Sequence, residues 1–224
     1  MICTPNAKFI EKVPDYILKN LEEEINSWNF SRLDDFSEQR IFHKFKSIVY
    51  GVSPYAKSLG NPERIFNVIE WCKSLYPKKI PIWANLFAMY PNHRYPAHVD
   101  GLELHLFSNR VHIPILSESG SKIVFFNKEN ESWIEESYEL YKGGAWEINN
   151  IIPHSAENLS SSWRINFVID MIDEDLMNSR NDWLKDNGKQ MMKFWHLDRE
   201  FERSEHLNRW CYKTVIAHNS LYIK

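Results

Sequence analysis

Residues 143–173 read GGAWEINNIIPHSAENLSSSWRINFVIDMID. GAWEIN, IPHSAEN and RINFVIDMI are short β-rich runs parted by turn residues, and the last alternates, with Ile165, Phe167 and Ile169 apolar beside the polar Arg164 and Asn166. The same period of two continues towards the N-terminus through SKIVFFN, RVHIPIL, ELHLFSN, RYPAHVDG and IPIWANLFAMY. Between residues 80 and 173 this amounts to about eight short strands, which predicts a closed or double-sheet β structure.

RVHIPIL repeats the sidedness of the last run: Val111, Ile113 and Ile115 are apolar, whereas Arg110 and His112 are polar. Two arrangements produce such a pattern. An ordinary half-buried strand turns its polar face to water. A barrel with helices packed on its outside turns that face inward, so that the lumen holds a polar site and the helices gain an apolar surface to cover. Alternation alone does not choose between them.

On either side of this zone the period becomes helical. In residues 1–79, Leu18, Leu21, Ile25 and Trp28 fall at helical spacing, and Asn61-Pro62 supplies an N-cap and a first-turn proline for a stripe of Ile65, Ile69, Cys72 and Tyr76. In residues 174–224, Leu207, Trp210, Cys211, Thr214 and Val215 follow i, i+3, i+4, i+7, i+8. The expected organisation is mainly β with flanking helices in one integrated domain: an N-terminal helical support region (1–79), a β core (80–173) and a C-terminal helical region (174–224).

Composition narrows the function. With 224 residues, 43% of them hydrophobic, the chain is long enough to bury one sizeable core. Lys and Arg total 27 against 30 Asp and Glu, a formal net charge of -3, which argues against a nucleic-acid partner. No apolar run approaches the roughly 20 residues needed to cross a bilayer, and the start MICTPNAKFIEKVPDY lacks a signal peptide's apolar stretch, so a cytoplasmic protein with no membrane association is expected. Cys3, Cys72 and Cys211 are isolated and suggest neither disulfides nor a thiolate zinc site. Gly (7) and Pro (10) are scattered, which leaves no room for a repeat architecture or long flexible linkers. The histidines carry more information, since five of the nine fall between His93 and His154.

In His98-Val99-Asp100 an imidazole and a carboxylate sit two residues apart, which on a strand puts both on one face. His154, in another predicted strand, can supply a third ligand. Two histidines and one carboxylate on one face of a metal leave positions open for a chelating cosubstrate and O₂ on Fe(II). A lone H-x-D pair also has a plain reading, a turn histidine bonded to its neighbour's carboxylate. Arg164, ten residues after His154, adds weight to the metal: an anionic chelator needs its far carboxylate neutralised, and a guanidinium does so with two parallel hydrogen bonds.

With these residues in view, the sequence resembles the aspartyl/asparaginyl β-hydroxylase-like branch of the Fe(II)- and 2-oxoglutarate-dependent oxygenases, which includes bacterial proline hydroxylases. The resemblance spans about residues 80–173. It rests on Pro96-Ala97-His98-Val99-Asp100, on Arg110-Val111-His112-Ile113-Pro114-Ile115 and on the block from Gly143 to Asp173. It implies a double-stranded β-helix of the jelly-roll, cupin-like kind, with His98, Asp100 and His154 as iron ligands and Arg164 as anchor for the distal carboxylate of 2-oxoglutarate. Arg110 and His112 match the family's R-x-H pair, which lies near the cosubstrate's other carboxylate or the substrate. Peptidyl aspartyl hydroxylases that use two histidines lack a carboxylate after the first; Asp100 gives this chain the full triad of the small-amino-acid hydroxylases.

The activity so implied is hydroxylation of a small molecule, a free amino acid or related carboxylate, with Fe(II), 2-oxoglutarate and O₂, the cosubstrate leaving as succinate and CO₂. Alternatives are a hydroxylase of aspartyl, asparaginyl or prolyl side chains in a protein, and a non-catalytic binding module of the same fold. Asn85, Arg94, Trp146 and the C-terminal region are candidates for substrate choice. Each also has a plain reading: Trp146 as packing, Arg94 as a solvated turn residue, Asn85 as an inward polar residue satisfied by its neighbours. His93 and His105 are read as surface histidines. His196, His206 and His218 show no ligand spacing, and Met191, Met192 and Trp195 are read as packing residues.

Overall fold

A computed structural model describes residues 6–26, 45–50, 61–95, 97–98, 108–129, 132–150, 152–178, 201–204 and 209–212. In chain order the elements are β1 (Ala7–Lys12), α1 (Asp15–Asn26), β2 (Phe45–Tyr50), a 3₁₀ turn (Pro62–Ile65) running into α2 (Phe66–Leu75), β3 (Lys79–Met89), β4 (His93–Arg94), β5 (Asn109–Leu116), β6 (Ser121–Glu129), β7 (Ser132–Glu139), β8 (Gly144–Ile148), β9 (His154–Asn158), β10 (Arg164–Asp173), β11 (Phe201–Ser204) and β12 (Arg209–Tyr212).

The strands form a six-stranded sheet in the order β1-β8-β5-β10-β3-β2 and a four-stranded sheet in the order β4-β9-β6-β7. Every pairing in them is antiparallel. Strands β3 to β10 therefore divide into two four-stranded layers, the jelly-roll arrangement of a double-stranded β-helix, and β1 and β2 extend the larger layer at its two edges.

The open question about the alternating strands is settled by what covers them. Val111, Ile113 and Ile115 of β5, Ile165, Phe167 and Ile169 of β10, and Ala84, Leu86 and Ala88 of β3 share one buried cluster with Ile17, Leu21 and Ile25 of α1 and Val68, Ile69 and Cys72 of α2. The apolar face of the large sheet thus meets the helices, and the polar face turns towards the second sheet. Removing the centre of this layer tests its weight. Phe167 is fully buried, so Phe167→Ala is expected to cost about 3–5 kcal/mol, seen as a lower urea midpoint with an unchanged slope.

The helix start read at Asn61 is present: its side-chain oxygen accepts from Glu63 N at 3.0 Å, with Pro62 opening the turn. Arg64 then ties this turn to α1 through Glu24, at 3.1 Å. Burial pushes the Cys72 thiol well above its ordinary range, as suits a packing residue. Between β7 and β8, Gly143 adopts φ +73°, a region that disfavours a side chain. Its N–H reaches Pro114 O at 2.8 Å, and its carbonyl accepts from Val13 N at 2.8 Å.

Two zones differ from the reading by periodicity. The first 79 residues are not helical alone: β1 and β2 lie in that stretch and form both edges of the large sheet. In the C-terminal zone the residues read as an amphipathic helix include Trp210 and Cys211, which belong to the β11–β12 hairpin. Leu207, Thr214 and Val215 lie outside the described residues, as do Trp28, Met191, Met192, Trp195, His196, His206 and His218. Among the described residues no helix is long and apolar enough to cross a membrane.

Candidate active site

The inward faces of the two sheets enclose a cavity of about 170 Å³ lined by Phe87, Met89, Tyr95, His98, Arg110, His112, Ile123, His154, Ala156, Arg164, Asn166 and Val168. Five of the six residues singled out from the sequence line it. The sixth, Asp100, lies outside the described residues, as does His105.

His98 and His154, distant in sequence, are brought together by backbone pairing. They form an isolated antiparallel bridge, with His98 N donating to His154 O at 2.9 Å and His154 N to His98 O at 2.8 Å. Residues directly opposite in such a pair project from the same face, and the rings stand 4.6 Å apart between centroids at 49°. A metal about 2.1 Å from one nitrogen of each ring lies roughly 3.2 Å from each ring centre, so two ligands near a right angle put the centres about 4.5 Å apart. The observed spacing fits one ion shared by both.

The second ring nitrogen of His154 supports the same assignment. Nδ1 lies 2.8 Å from Ile152 O, and because a carbonyl only accepts, Nδ1 is the donor, so that in the neutral ring Nε2 carries the lone pair. This is the usual state of a metal-binding imidazole, oriented by a hydrogen bond from its far side. The Tyr95 ring meets His98 edge-on at 4.8 Å and Phe125 flanks His154 at 5.9 Å, which limits how far either imidazole can turn. Among the described residues no third His, Cys, Asp or Glu joins the pair.

Arg164, the first residue of β10, reaches across the lumen to the small sheet. Its Nη1 donates to Lys122 O at 2.9 Å and to Glu157 O at 3.1 Å, and with the Asn166 amide turned so that its oxygen accepts, Nη2 donates to it at 3.2 Å. Among the described residues its hydrogen-bond partners are therefore carbonyl and amide oxygens, not carboxylates. Burial pushes its pKa down to about 10, with the Glu157 charge opposing that shift. Such a guanidinium suits an incoming anion.

Asn158 sets the strand turn that precedes it. Its Nδ2 reaches Met89 O, Tyr90 O and Ser162 O at 3.3, 2.9 and 2.8 Å, and its Oδ1 accepts from Ser160 Oγ at 2.7 Å. That network fixes where β10 begins.

Arg110, of the R-x-H pair, lines the same cavity with part of its guanidinium held by a neighbouring strand. Its Nε and Nη2 both donate at 2.7 Å to the two oxygens of Asp170, a bidentate pair buried on both sides. The guanidinium also lies 5.2 Å from the Trp83 ring centre. It lines the cavity with two donors committed to an internal carboxylate. Reading the sequence missed Asp170, although it follows Arg164 and Asn166 on the polar face of the same strand. Arg94 is exposed and paired with the buried Glu157 at 3.5 Å. Trp146 packs among Phe9 and Tyr141, at 5.4 and 5.0 Å between ring centres.

Comparison with known structures bears on the fold. An oxidoreductase of the 2OG-Fe(II) oxygenase family from Burkholderia pseudomallei matches with a TM-score of 0.53 at 11% identity, over 75% of this chain and 85% of that one. The fold is that of the 2OG-Fe(II) oxygenases. A prolyl-4-hydroxylase from Pseudomonas putida matches with a TM-score of 0.51 at 11% identity, over 75% of this chain and 91% of that one. A viral collagen prolyl hydroxylase from Paramecium bursaria Chlorella virus-1, solved as its 2OG complex, matches with a TM-score of 0.50 at 11% identity, over 76% and 98%. No protein-family model and no curated protein matches the sequence.

Proposed function

We propose that the protein is an Fe(II)- and 2-oxoglutarate-dependent oxygenase that hydroxylates a small molecule, a free amino acid or a related carboxylate. The observation that carries the reading is the cavity itself, where a paired His98 and His154 face the same space as the buried Arg164 cation. A binding module has no physical need for these together.

His98 and His154, with Asp100, would hold the iron, and Arg164 would hold the distal carboxylate of 2-oxoglutarate. When bound, the pair supplies activation of O₂ and the oxidising equivalents for inserting an oxygen atom into a C–H bond. The chain's own part is placement. The Ile152 carbonyl keeps the proton on His154 Nδ1, so that Nε2 presents its lone pair to the lumen. Arg164, backed by the Lys122 and Glu157 carbonyls, offers a charge-assisted contact at a fixed distance from the histidines. Phe87, Met89, Tyr95 and Ile123 line the space between and displace water, which strengthens each polar contact inside.

The test is anaerobic titration of Fe(II) and then 2-oxoglutarate, followed by succinate release in air across free amino acids, with proline-like substrates first. One equivalent of iron, a metal-to-ligand absorption band and stimulation by a free amino acid are expected. Absence of iron binding overturns the reading. Stimulation by proteins or long peptides alone replaces it with hydroxylation of prolyl or aspartyl side chains.

A further inference from the structure

Two buried arginines line the lumen, and their charges are balanced differently. Arg110 gives Nε and Nη2 to the Asp170 carboxylate. Arg164 is 4% exposed, and its Nη1 donates to the main-chain oxygens of Lys122 and Glu157. A buried cation is costly unless an opposite charge lies near it. The residues that supply those oxygens also bring one. Ile123 and Ala156 line the cavity, so Lys122 and Glu157, next to them along β6 and β9, turn their side chains to the outer face of the small sheet. Arg94 of β4 and Lys122 pair with Glu157 in register from either side, and each carboxylate oxygen meets a cation at 3.5 Å, Arg94 Nε at Oε1 and Lys122 Nζ at Oε2. The Glu157 side chain is 2% exposed, against 58% for Arg94 and 29% for Lys122.

We infer that Glu157 is the resident counter-charge of the cosubstrate anchor, a positioning residue whose carboxylate, held behind the small sheet, offsets the Arg164 cation in the ligand-free protein without entering the lumen. The inference rests on the oxygenase reading and adds how the anchor's charge is kept. Distance permits it. Arg164 Nη1 lies 3.1 Å from Glu157 O, and the bonds from that oxygen through Cα to the carboxylate span at most about 7 Å, which puts the two charges within about 10 Å. The Glu157 charge accordingly opposes the lowering of the Arg164 pKa that burial causes.

The contrast with Arg110 shows what the arrangement achieves. A carboxylate bonded to the guanidinium inside the lumen, as Asp170 is to Arg110, takes the donors that an incoming carboxylate needs. One placed behind the backbone supplies the charge and leaves those donors to the ligand. It also repels that ligand, so removing it has two effects of opposite sign: the ligand-free protein loses stability, and anion binding tightens.

The experiment compares wild type, Glu157→Gln, Arg164→Met and the double variant. Glutamine keeps the shape and drops the charge. Arg94 and Lys122 then turn to water, whereas the buried Arg164 cannot. Ligand-free Glu157→Gln should melt below wild type, and the same change should cost less in the Arg164→Met background. In the anaerobic iron complex, Glu157→Gln should bind 2-oxoglutarate about three- to tenfold tighter, the repulsion lost at that distance for an effective dielectric between those of a protein surface and water. A residue that only clamps strands together would weaken binding or leave it alone.

Unchanged or weaker 2-oxoglutarate binding in Glu157→Gln would overturn the inference, as would an equal loss of stability in both backgrounds. If Glu157→Gln alone does not fold, the double variant decides: it should fold, because the cation that lacked its counter-charge is gone, and a double variant that stays unfolded overturns the inference. The melting comparison needs no ligand. Failure of the oxygenase reading is therefore distinct, since it shows in wild type as absent iron or 2-oxoglutarate binding.

Discussion

His154→Ala is expected to leave a folded protein that no longer holds one equivalent of Fe(II) and no longer consumes 2-oxoglutarate. The main-chain bonds that carry the bridge to His98 run through N–H and C=O groups, which alanine keeps. The imidazole lost is the one whose Nδ1 is tied to Ile152 O and whose Nε2 points the other way. Losing an outer hydrogen-bond partner costs a metal site roughly 10–100-fold in affinity, so losing the donor itself should cost more. His98→Ala should behave alike, because the two rings stand at the spacing of ligands to one ion. Anaerobic Fe(II) titration, with circular dichroism to confirm the fold, measures both. Wild-type iron affinity in both variants would remove the metal from this cavity. Asp100→Ala completes the set and shows whether two histidines suffice.

The parts of this fold that could be read in the sequence are those where each strand has one apolar and one polar face. β5 and β10 alternate cleanly because helices cover one side and the lumen takes the other. β7 was not among the runs picked out, and its register gives the reason. Glu136 pairs with Phe125 on the inward face, where a carboxylate interrupts the apolar period. It is tolerated because Asn6 Nδ2 donates to it at 2.6 Å and the Tyr138 hydroxyl bonds its other oxygen. A part-buried network of that kind is assembled from distant segments and leaves no local signal. β1 escaped for another reason: its six residues sit at a sheet edge with a bulge between Phe9 and Glu11, which breaks the alternation.

The candidate site was legible to the same extent. His98, His154 and Arg164 could be picked out because their side-chain types and strand positions suit one chemistry. That His98 lies against His154 depends on the bridge between them and on the pairing of His154 with Phe125 of β6, neither of which spacing reveals. Arg110 shows what a motif leaves out. Its residue type and motif pointed to the site, but its partner Asp170, supplied by a neighbouring strand, is not signalled by the motif. Asn85 is a third case: it was expected to be satisfied by its neighbours, and only packing shows that among the described residues its Oδ1 has no hydrogen-bond partner.

Arg164→Met is expected to separate cosubstrate binding from iron binding. The guanidinium is buried, and because burial lowers its pKa, the folded protein carries the cost of keeping it charged at every pH below about 10. A bound carboxylate offsets the same cost at neutral pH. Methionine fills similar space without charge, relieving the desolvation cost but leaving the Lys122 and Glu157 carbonyls without that donor, and affinity for 2-oxoglutarate should fall by about 3 kcal/mol, roughly a hundredfold. Arg164→Lys should regain only part of this, because an ammonium cannot donate two parallel bonds to one carboxylate. Iron stoichiometry should be unchanged in both, since Arg164 reaches the Lys122 and Glu157 carbonyls and not the histidines. Titrating 2-oxoglutarate into the anaerobic iron complexes and following the absorption band measures the three affinities together. An Arg164→Met protein that binds the cosubstrate as tightly as wild type would place the anchor elsewhere in the lumen.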